Sequence, residues 1–239
     1  MKKFIYIILL GLFILPVSCE KSVFESSPSD KYDANTVWSS LDLVQAFVNE
    51  TYNGVGNWVT DGMGLGAMTD ETYSMFNWAG GQSVANLTMD ASNAQALGVN
   101  YNKGGTYSPD RDFTINSGKW GYMYYKIRAV NQFFDNIDNL DVPGEDERIK
   151  EMKGEMHFLR AYFYSQLVNV YGEAILITHQ FDISDDLLDV TKSSYQDVTD
   201  YIVSECDSAI DLLPQSFPSE PGRATKGAAM ALKAEQLLY

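Results

Sequence analysis

Residues 154–172, GEMHFLRAYFYSQLVNVYG, constrain the fold of this chain more than any other stretch. Leu159, Phe163 and Leu167 recur at i, i+4 and i+8, while Phe158 with Tyr162 and Tyr164 with Val168 add two further pairs at helical spacing. A helix with three apolar stripes has to be covered on several sides. Ala161 and Ser165 lie one turn apart and are small enough for a neighbouring helix to come close, and Gly172 supplies a stop signal. The pattern predicts a central helix in an all-helical stack.

Four more helical patterns surround it. Residues 40–53 place Leu41, Val44, Val48 and Thr51 on one face, with Ser39 and Asp42 spaced for a capping box. Residues 119–140 carry Trp120, Tyr124, Ile127, Val130, Phe134 and Ile137. The central helix itself extends over 148–171. Residues 195–213 open with Ser194 and Asp197 in capping-box spacing, place Tyr195, Val198, Ile202, Cys206, Ala209 and Leu213 on one face, and end at Pro214. The last pattern, ATKGAAMALKAEQLLY, runs over 224–239 and starts at about Thr225. The last four helices form two pairs, and the step from Trp120 to Gly154 is 34 residues, the length of a tetratricopeptide-type helix-turn-helix unit. Such pairs bury their faces only by stacking, so a small TPR-like superhelix is expected.

Between the first two helices lies a segment of another kind. Residues 53–118 hold most of the glycines, many Asn, Ser and Thr, and the rings of Trp58, Tyr73, Phe76, Trp78, Tyr101, Tyr107 and Phe113, with no helical period. Unpatterned segments of that length inside a compact domain are usually functional, and this aromatic content argues against disorder. A shorter acidic connection occupies 173–194.

The N-terminus reads as a targeting signal. Lys2 and Lys3 precede the apolar run from Phe4 to Leu15, which is too short for a comfortable spanning helix, and LPVSC follows. The Ser18-Cys19 step looks like a bacterial lipobox, with Pro16 a looser match, so residues 1–18 are expected to be removed and Cys19 to carry lipid. Residues 19–38, polar and Ser-rich, would be a tether, and 39–239 the helical domain. With Cys19 lipidated, Cys206 has no disulfide partner, and its place on an apolar helix face makes it a small hydrophobe. The formal charge of −15 excludes nucleic acid as a partner, since phosphate neutralisation needs clustered Lys and Arg.

The central stretch extended to residue 178, GEMHFLRAYFYSQLVNVYGEAILIT, resembles the signature of the SusD/RagB family of outer-membrane glycan-binding lipoproteins. That signature reads Gly-Glu-Ala, then Phe-Leu-Arg-Ala, an aromatic run, and Tyr-Gly before a short strand-like segment. WGYMYYKIRAVNQFFDNID at 120–138, YQDVTDYIVSECDSAIDLLP at 195–214 and GRATKGAAMALKAEQLLY at 222–239 agree with it in order and spacing. So do the lipobox and the opening helix, TVWSSLDLVQAFVNETYNGV. Met156 stands where alanine is common, and Ala174-Ile175 replaces a frequent Val-Pro. The resemblance implies a TPR-like scaffold, lipid-anchored on the cell surface, that captures oligosaccharide or another nutrient such as peptide. It implies delivery of that ligand to a TonB-dependent outer-membrane transporter of the SusC type. Family members continue well past the Gly-Arg-Ala-Thr helix, so the resemblance also implies that this sequence is an N-terminal portion whose last helix is left with apolar surface.

Sugars present flat C–H faces and a rim of hydroxyls, and bind where aromatic platforms stand beside polar side chains. The segment DETYSMFNWAGGQ, residues 70–82, supplies both. Trp78 is the first candidate platform, Asn77 and Gln82 its polar neighbours, and Asp70 and Glu71 acceptors for hydroxyls. Tyr73, Tyr101 and Tyr107 are further candidates, with Trp58 similar to them. The competing role for Trp78 is to plug the loop onto the helical scaffold. Trp120, on the apolar stripe of its helix, is assigned to the core.

Catalysis finds little support. Asp70 and Glu71 are adjacent, so their side chains diverge instead of facing each other across a cleft as glycosidase carboxylates do. His157 and His179 lack Cys, Asp or Glu at ligand spacing, and no zinc or other cofactor is indicated. Residues 135–146, DNIDNLDVPGED, miss the calcium-loop spacing. No Gly-x-Ser-x-Gly elbow, P-loop or dinucleotide fingerprint occurs. A non-catalytic binding protein is the reading carried forward; its rivals are a helical adaptor that contacts only proteins and a hydrolase acting through Asp70 or Glu71.

Overall fold

The computed structural model describes residues 34–55, 86–88, 118–140, 142–181 and 190–238. One helical turn, Ala34–Val37, falls in a separate unit, Met1–Val37, and the remaining helices belong to the unit Trp38–Tyr239. These are α1 (Leu41–Tyr52), α2 (Gly118–Ile137), α3 (Asp146–Tyr171), α4 (Tyr195–Leu212) and α5 (Lys226–Leu238). Each of α2 to α5 packs on the next, and α1 lies against both α2 and α3. This is the TPR-like all-helical architecture expected from the paired patterns. Among the described residues no helix is long and apolar enough to cross a membrane.

Helix α3 is the hub. Met156, Leu159, Ala161, Phe163, Tyr164 and Leu167 are wholly inaccessible, and Phe158 and Tyr162 pack partly buried against the same core. All three stripes of its sequence are therefore covered. Ala161 and Ser165 are both buried, as their size anticipated. Gly154 shows why a side chain is missing at that point: a Cβ there would come within 2.9 Å of Leu213 Cγ and 3.0 Å of Leu212 Cβ, so the end of α4 rests on its backbone. The helix stops at Gly172, φ +73°, whose N–H donates to Val168 O at 2.9 Å.

Helix starts follow local chemistry. The Ser194 hydroxyl accepts from Asp197 N–H at 3.2 Å, as the spacing foretold, and also bonds the Asp197 carboxylate at 2.6 Å. At α1 the cap is Ser40, not Ser39, and its hydroxyl accepts from Leu43 N–H at 3.4 Å. Ser40 has the extended backbone geometry of a cap, φ −152° and ψ 149°. Tyr195, expected on the apolar face of α4, is 39% exposed, whereas Val198, Ile202, Cys206 and Ala209 are fully buried. Cys206 is a free thiol, and burial together with the Asp207 and Glu205 charges pushes its pKa up to about 12, so it packs as a hydrophobe.

The core also holds polar and charged groups. Lys126, Asn131, Glu155, Arg160 and Glu205 are all buried, and each is satisfied by a partner.

Candidate functional site

The aromatic and polar residues singled out in the sequence, Asp70, Glu71, Tyr73, Asn77, Trp78, Gln82, Tyr101 and Tyr107, lie outside the described residues, as do Trp58 and Cys19. What the structure does describe is the base from which their segment springs. Tyr122 Oη, at the start of α2, donates to Asn53 O at 2.9 Å just past the end of α1. Buried Lys126 donates to Glu50 O at 2.9 Å and to the Glu50 carboxylate at 3.3 Å. Burial lowers the Lys126 pKa and the Glu50 charge opposes that shift. At Gly54 a Cβ would lie 2.7 Å from Phe163 Cε1 and 2.8 Å from Lys126 Cγ, so the chain crosses the hub helix where only glycine fits. The polypeptide thus leaves the scaffold at Val55 and rejoins it at Gly118 from two helix ends fastened to each other and to α3.

A second construction lies beyond α3. The chain from Ala174 to Gln180 is irregular apart from one antiparallel bridge from Ala174 to Ser193, Ser193 N–H donating to Ala174 O at 2.8 Å. Its backbone is bonded to side chains of α2 and α3. Tyr124 Oη accepts from Ile175 N–H at 2.6 Å, and Tyr164 Oη accepts from Ile177 N–H at 2.7 Å. Asn131 Nδ2 donates to Ile177 O at 2.9 Å and to His179 O at 3.3 Å, and Gln180 N–H donates to the Asp135 carboxylate at 3.3 Å. Burial pushes the Tyr124 pKa up to about 12 and raises Tyr164 further, so both hydroxyls keep their protons.

Between this segment and α2 opens a cleft of about 350 Å³. Ile127 and Ile177 line it with Tyr124 and Phe181, and Arg128, His179 and Gln180 supply its polar groups. The volume falls in the range of small-ligand sites, roughly 300–1,000 Å³. The His179 and Phe181 rings meet edge to face, centroids 5.1 Å apart. Trp120, assigned to the core from sequence, is only half-buried: its ring lies 5.0 Å from Tyr124 and edge-on to Tyr171 at 5.0 Å, with the Lys192 ammonium 5.5 Å from its centroid. Sequence reasoning passed over this cleft because its residues come from 124–128 and 177–181. The available signal was Arg128 one turn after Tyr124 on α2, a charged side chain beside the apolar stripe.

Asn131 also connects the cleft to the interior. Its Oδ1 accepts from Arg160 Nη1 at 3.0 Å, and Arg160 grips Glu205 through Nε at 2.8 Å and Nη2 at 2.9 Å. His157 Nδ1 lies 2.9 Å from the same carboxylate, and the guanidinium sits 4.6 Å from the Phe134 ring centroid. Burial raises the Glu205 pKa, but the bonds from His157 and Arg160 outweigh it and hold the carboxyl below the usual range. His157 is therefore part of this cluster, and among the described residues no group of three or more His, Cys, Asp or Glu side chains converges as a metal site.

Comparison with known proteins follows the same lines. A sequence model of the SusD-like family, described as starch-binding and associating with the outer membrane, matches residues 63–238. The SusD-like protein P25 of Formosa agariphila is 28% identical over 120 residues, 50% of this chain and 22% of the relative. Among solved structures, a SusD-like protein from Bacteroides fragilis superposes with a TM-score of 0.63 at 27% identity, covering 90% of this chain and 38% of that one. A laminarin-binding SusD-like protein shares the fold with a TM-score of 0.61 at 22% identity, covering 84% of this chain and 40% of that one. The chain spans well under half the length of these relatives.

Proposed function

This chain belongs to the SusD-like family of starch-binding proteins that associate with the outer membrane, and from that premise we propose that it is a cell-surface lipoprotein that captures glycan without cleaving it. The observation that carries the reading is the extent of the family match, residues 63–238, which takes in most of the long insertion together with α2 to α5. A sugar-binding surface needs rings and hydrogen-bonding groups held in fixed relation by a stiff support. The fastened ends at Asn53 and Tyr122 supply the support, and Trp78 is the first candidate platform, with Asn77, Gln82, Asp70 and Glu71 near it in sequence and Tyr73, Tyr101 and Tyr107 as further candidates.

In this reading residues 1–18 are a signal peptide, Cys19 carries lipid and anchors the protein in the outer membrane, and 19–38 is a tether to the helical domain. The captured oligosaccharide passes to a TonB-dependent transporter of the SusC type, which does the transport.

The test is affinity electrophoresis of the full-length protein through gels containing plant, host and microbial polysaccharides, beside a Trp78→Ala variant. Retardation by a glycan, lost in the variant, supports capture through the insertion. Free migration of the folded protein in every gel sinks the glycan reading and turns attention to peptides or other nutrients. Labelling with a fatty-acid analogue, abolished by Cys19→Ala, tests the anchor.

A further inference from the structure

We propose that the cleft between α2 and the segment 174–181 is a second saccharide subsite, and that it takes an acidic sugar whose carboxylate or sulfate group is held by Arg128. The inference rests on the glycan-capture reading and adds a ligand class and a location to it.

Arg128 is the starting point. Three other described arginines each hold a carboxylate: Arg148 with Asp42 at 2.8 Å, Arg160 with Glu205 at 2.8 Å, and Arg223 with Glu155 at 2.9 Å. Arg128 is exposed and makes no hydrogen bond or ion pair, in a chain with 32 Asp and Glu against 17 Lys and Arg. Where acids outnumber bases so heavily, a guanidinium without a carboxylate stands out, and the nearby Asp135 carboxylate is engaged by Gln180 N–H. Among the described residues, none that lines this cleft is acidic.

The hydrogen-bonding inventory of the cleft points the same way. A guanidinium offers five donors and no acceptor, Gln180 adds an amide with both donors and an acceptor, and the Tyr124 hydroxyl is already engaged with Ile175 on the backbone. The Gln180 amide and the His179 ring are the remaining polar side chains. A neutral sugar hydroxyl both donates and accepts, so sites for neutral sugars usually supply carboxylates or amides of both kinds. The guanidinium is the one charged group among the described lining residues and donates only, so it complements a group made of acceptors, and a planar carboxylate or a sulfate ester meets it with two parallel bonds. The apolar part of the cleft fits the rest of the sugar: Phe181 and Tyr124 offer rings to a C–H face, over Ile127 and Ile177.

The cleft is also built to keep its shape. Both sides are fixed by bonds that do not involve the free groups, since Tyr124, Tyr164, Asn131 and Asp135 hold the backbone of residues 175–180. A ligand therefore meets a site whose ordering cost has been met on folding. The strongly acidic surface elsewhere opposes a polyanion only at long range, and at physiological ionic strength that field is screened within about 8 Å, whereas a direct contact with Arg128 is not.

The experiment is isothermal titration of the full-length protein with trigalacturonate as the carboxylate probe, a sulfated maltoheptaose as the sulfate probe, and maltoheptaose as the neutral control. Wild type is compared with Arg128→Gln, Arg128→Lys and Phe181→Ala, each checked for an unchanged melting curve. The expected result is that at least one acidic probe binds more tightly than the neutral one and loses about tenfold or more in affinity in Arg128→Gln, with partial retention in Arg128→Lys. Whichever acidic probe behaves so identifies the anionic group. Equal binding of acidic and neutral probes, or acidic binding untouched by both Arg128→Gln and Phe181→Ala, overturns the subsite. If neutral glycans still retard the protein through Trp78 while the acidic probes do not bind, the capture function stands and this inference alone falls; if no glycan of either kind binds, both fall.

Discussion

Two buried arginine–carboxylate clusters flank the hub helix, built from the same groups, and the carboxylates in them respond to burial with opposite sign. Glu205 accepts two bonds from the Nε–Nη2 edge of Arg160 and lies beside His157, and its pKa is held low against the cost of burial. Glu155 accepts from Arg223 at 2.9 and 3.2 Å and from Tyr52 Oη at 2.8 Å, yet burial wins and its pKa is raised. The difference lies in the remaining partners: the bond from His157, ahead of those from Arg160, lowers Glu205, and Glu155 has no such histidine. Arg223 is shared with Glu220 at 2.6 and 3.3 Å, whose charge also raises Glu155, and with Asn49 at 3.1 Å. Arg160 has a single carboxylate and spends its other edge on the neutral Asn131. The same pairing of arginine with carboxylate thus accompanies shifts of opposite direction, set by burial and by the other partners, which counting ion pairs does not reveal.

The most disruptive way to test that contrast is Arg160→Leu. It leaves the Glu205 carboxylate buried beside His157 alone and is expected to cost about 3–5 kcal/mol in urea unfolding. Arg160→Met combined with Glu205→Leu should recover much of the loss, because no charge is then stranded; a single variant costing under about 1 kcal/mol would mean that the cluster does not hold α3 to α4. Asn131→Ala should cost about 1–3 kcal/mol, since Arg160 Nη1 and the carbonyls of Ile177 and His179 all lose their partner. It should also weaken binding in the cleft, and strong destabilisation with unchanged binding would separate the two. On the other cluster, Tyr52→Phe is expected to cost about 1–2 kcal/mol, because one hydroxyl donates to Glu155 and accepts from Ala224 N–H at 2.9 Å.

Titration sharpens the comparison further. Glu205, with a depressed native pKa, contributes stability above the ordinary carboxylate value of about 4.3 and loses it as pH falls through its native pKa. Glu155, with a raised native pKa, contributes stability in its protonated form below about 4.3 and loses it as pH rises through the native value. Unfolding free energies of wild type minus Glu205→Gln should therefore rise with pH, and those of wild type minus Glu155→Gln should fall, over the adjoining windows below and above that value. Parallel slopes would refute the assignment. Smallest of all, Gly121→Ala on exposed helix surface, where a Cβ meets nothing within 4 Å, should stabilise by about 0.5–1 kcal/mol and leave both titrations unchanged.

How much of this was legible in the sequence follows from what periodicity registers. The three stripes of α3, the cap at Ser194 and the helix order could be read because each depends on residues a few positions apart. The buried Lys126, Asn131, Glu155 and Glu205 could not, because charged and amide side chains at core positions look like surface until their partners are known. Glu205 and Arg160 are 45 residues apart, and Arg223 and Glu155 are 68. Ser39 and Ser40 are neighbours of equal capping power, so only backbone geometry chose between them. The cleft was missed for the same reason as the clusters: Arg128 and Phe181 are distant in sequence and meet only after the segment is bonded down. The sugar platforms named from sequence, Trp78 foremost, lie outside the described residues and stay with the proposed function.

The fastening of Asn53 to Tyr122 and of Glu50 to Lys126 has a polymer consequence. When the two ends of a segment are welded by the support itself, the entropy of closing the ring between them grows only with the logarithm of its contour length, about 0.6 kcal/mol for each doubling. The helices therefore act as a socket, largely indifferent to the size of what is plugged into it. Insertions of different length and composition can be exchanged between Val55 and Gly118 at little thermodynamic cost, so ligand preference can diverge while the helical stack keeps one design.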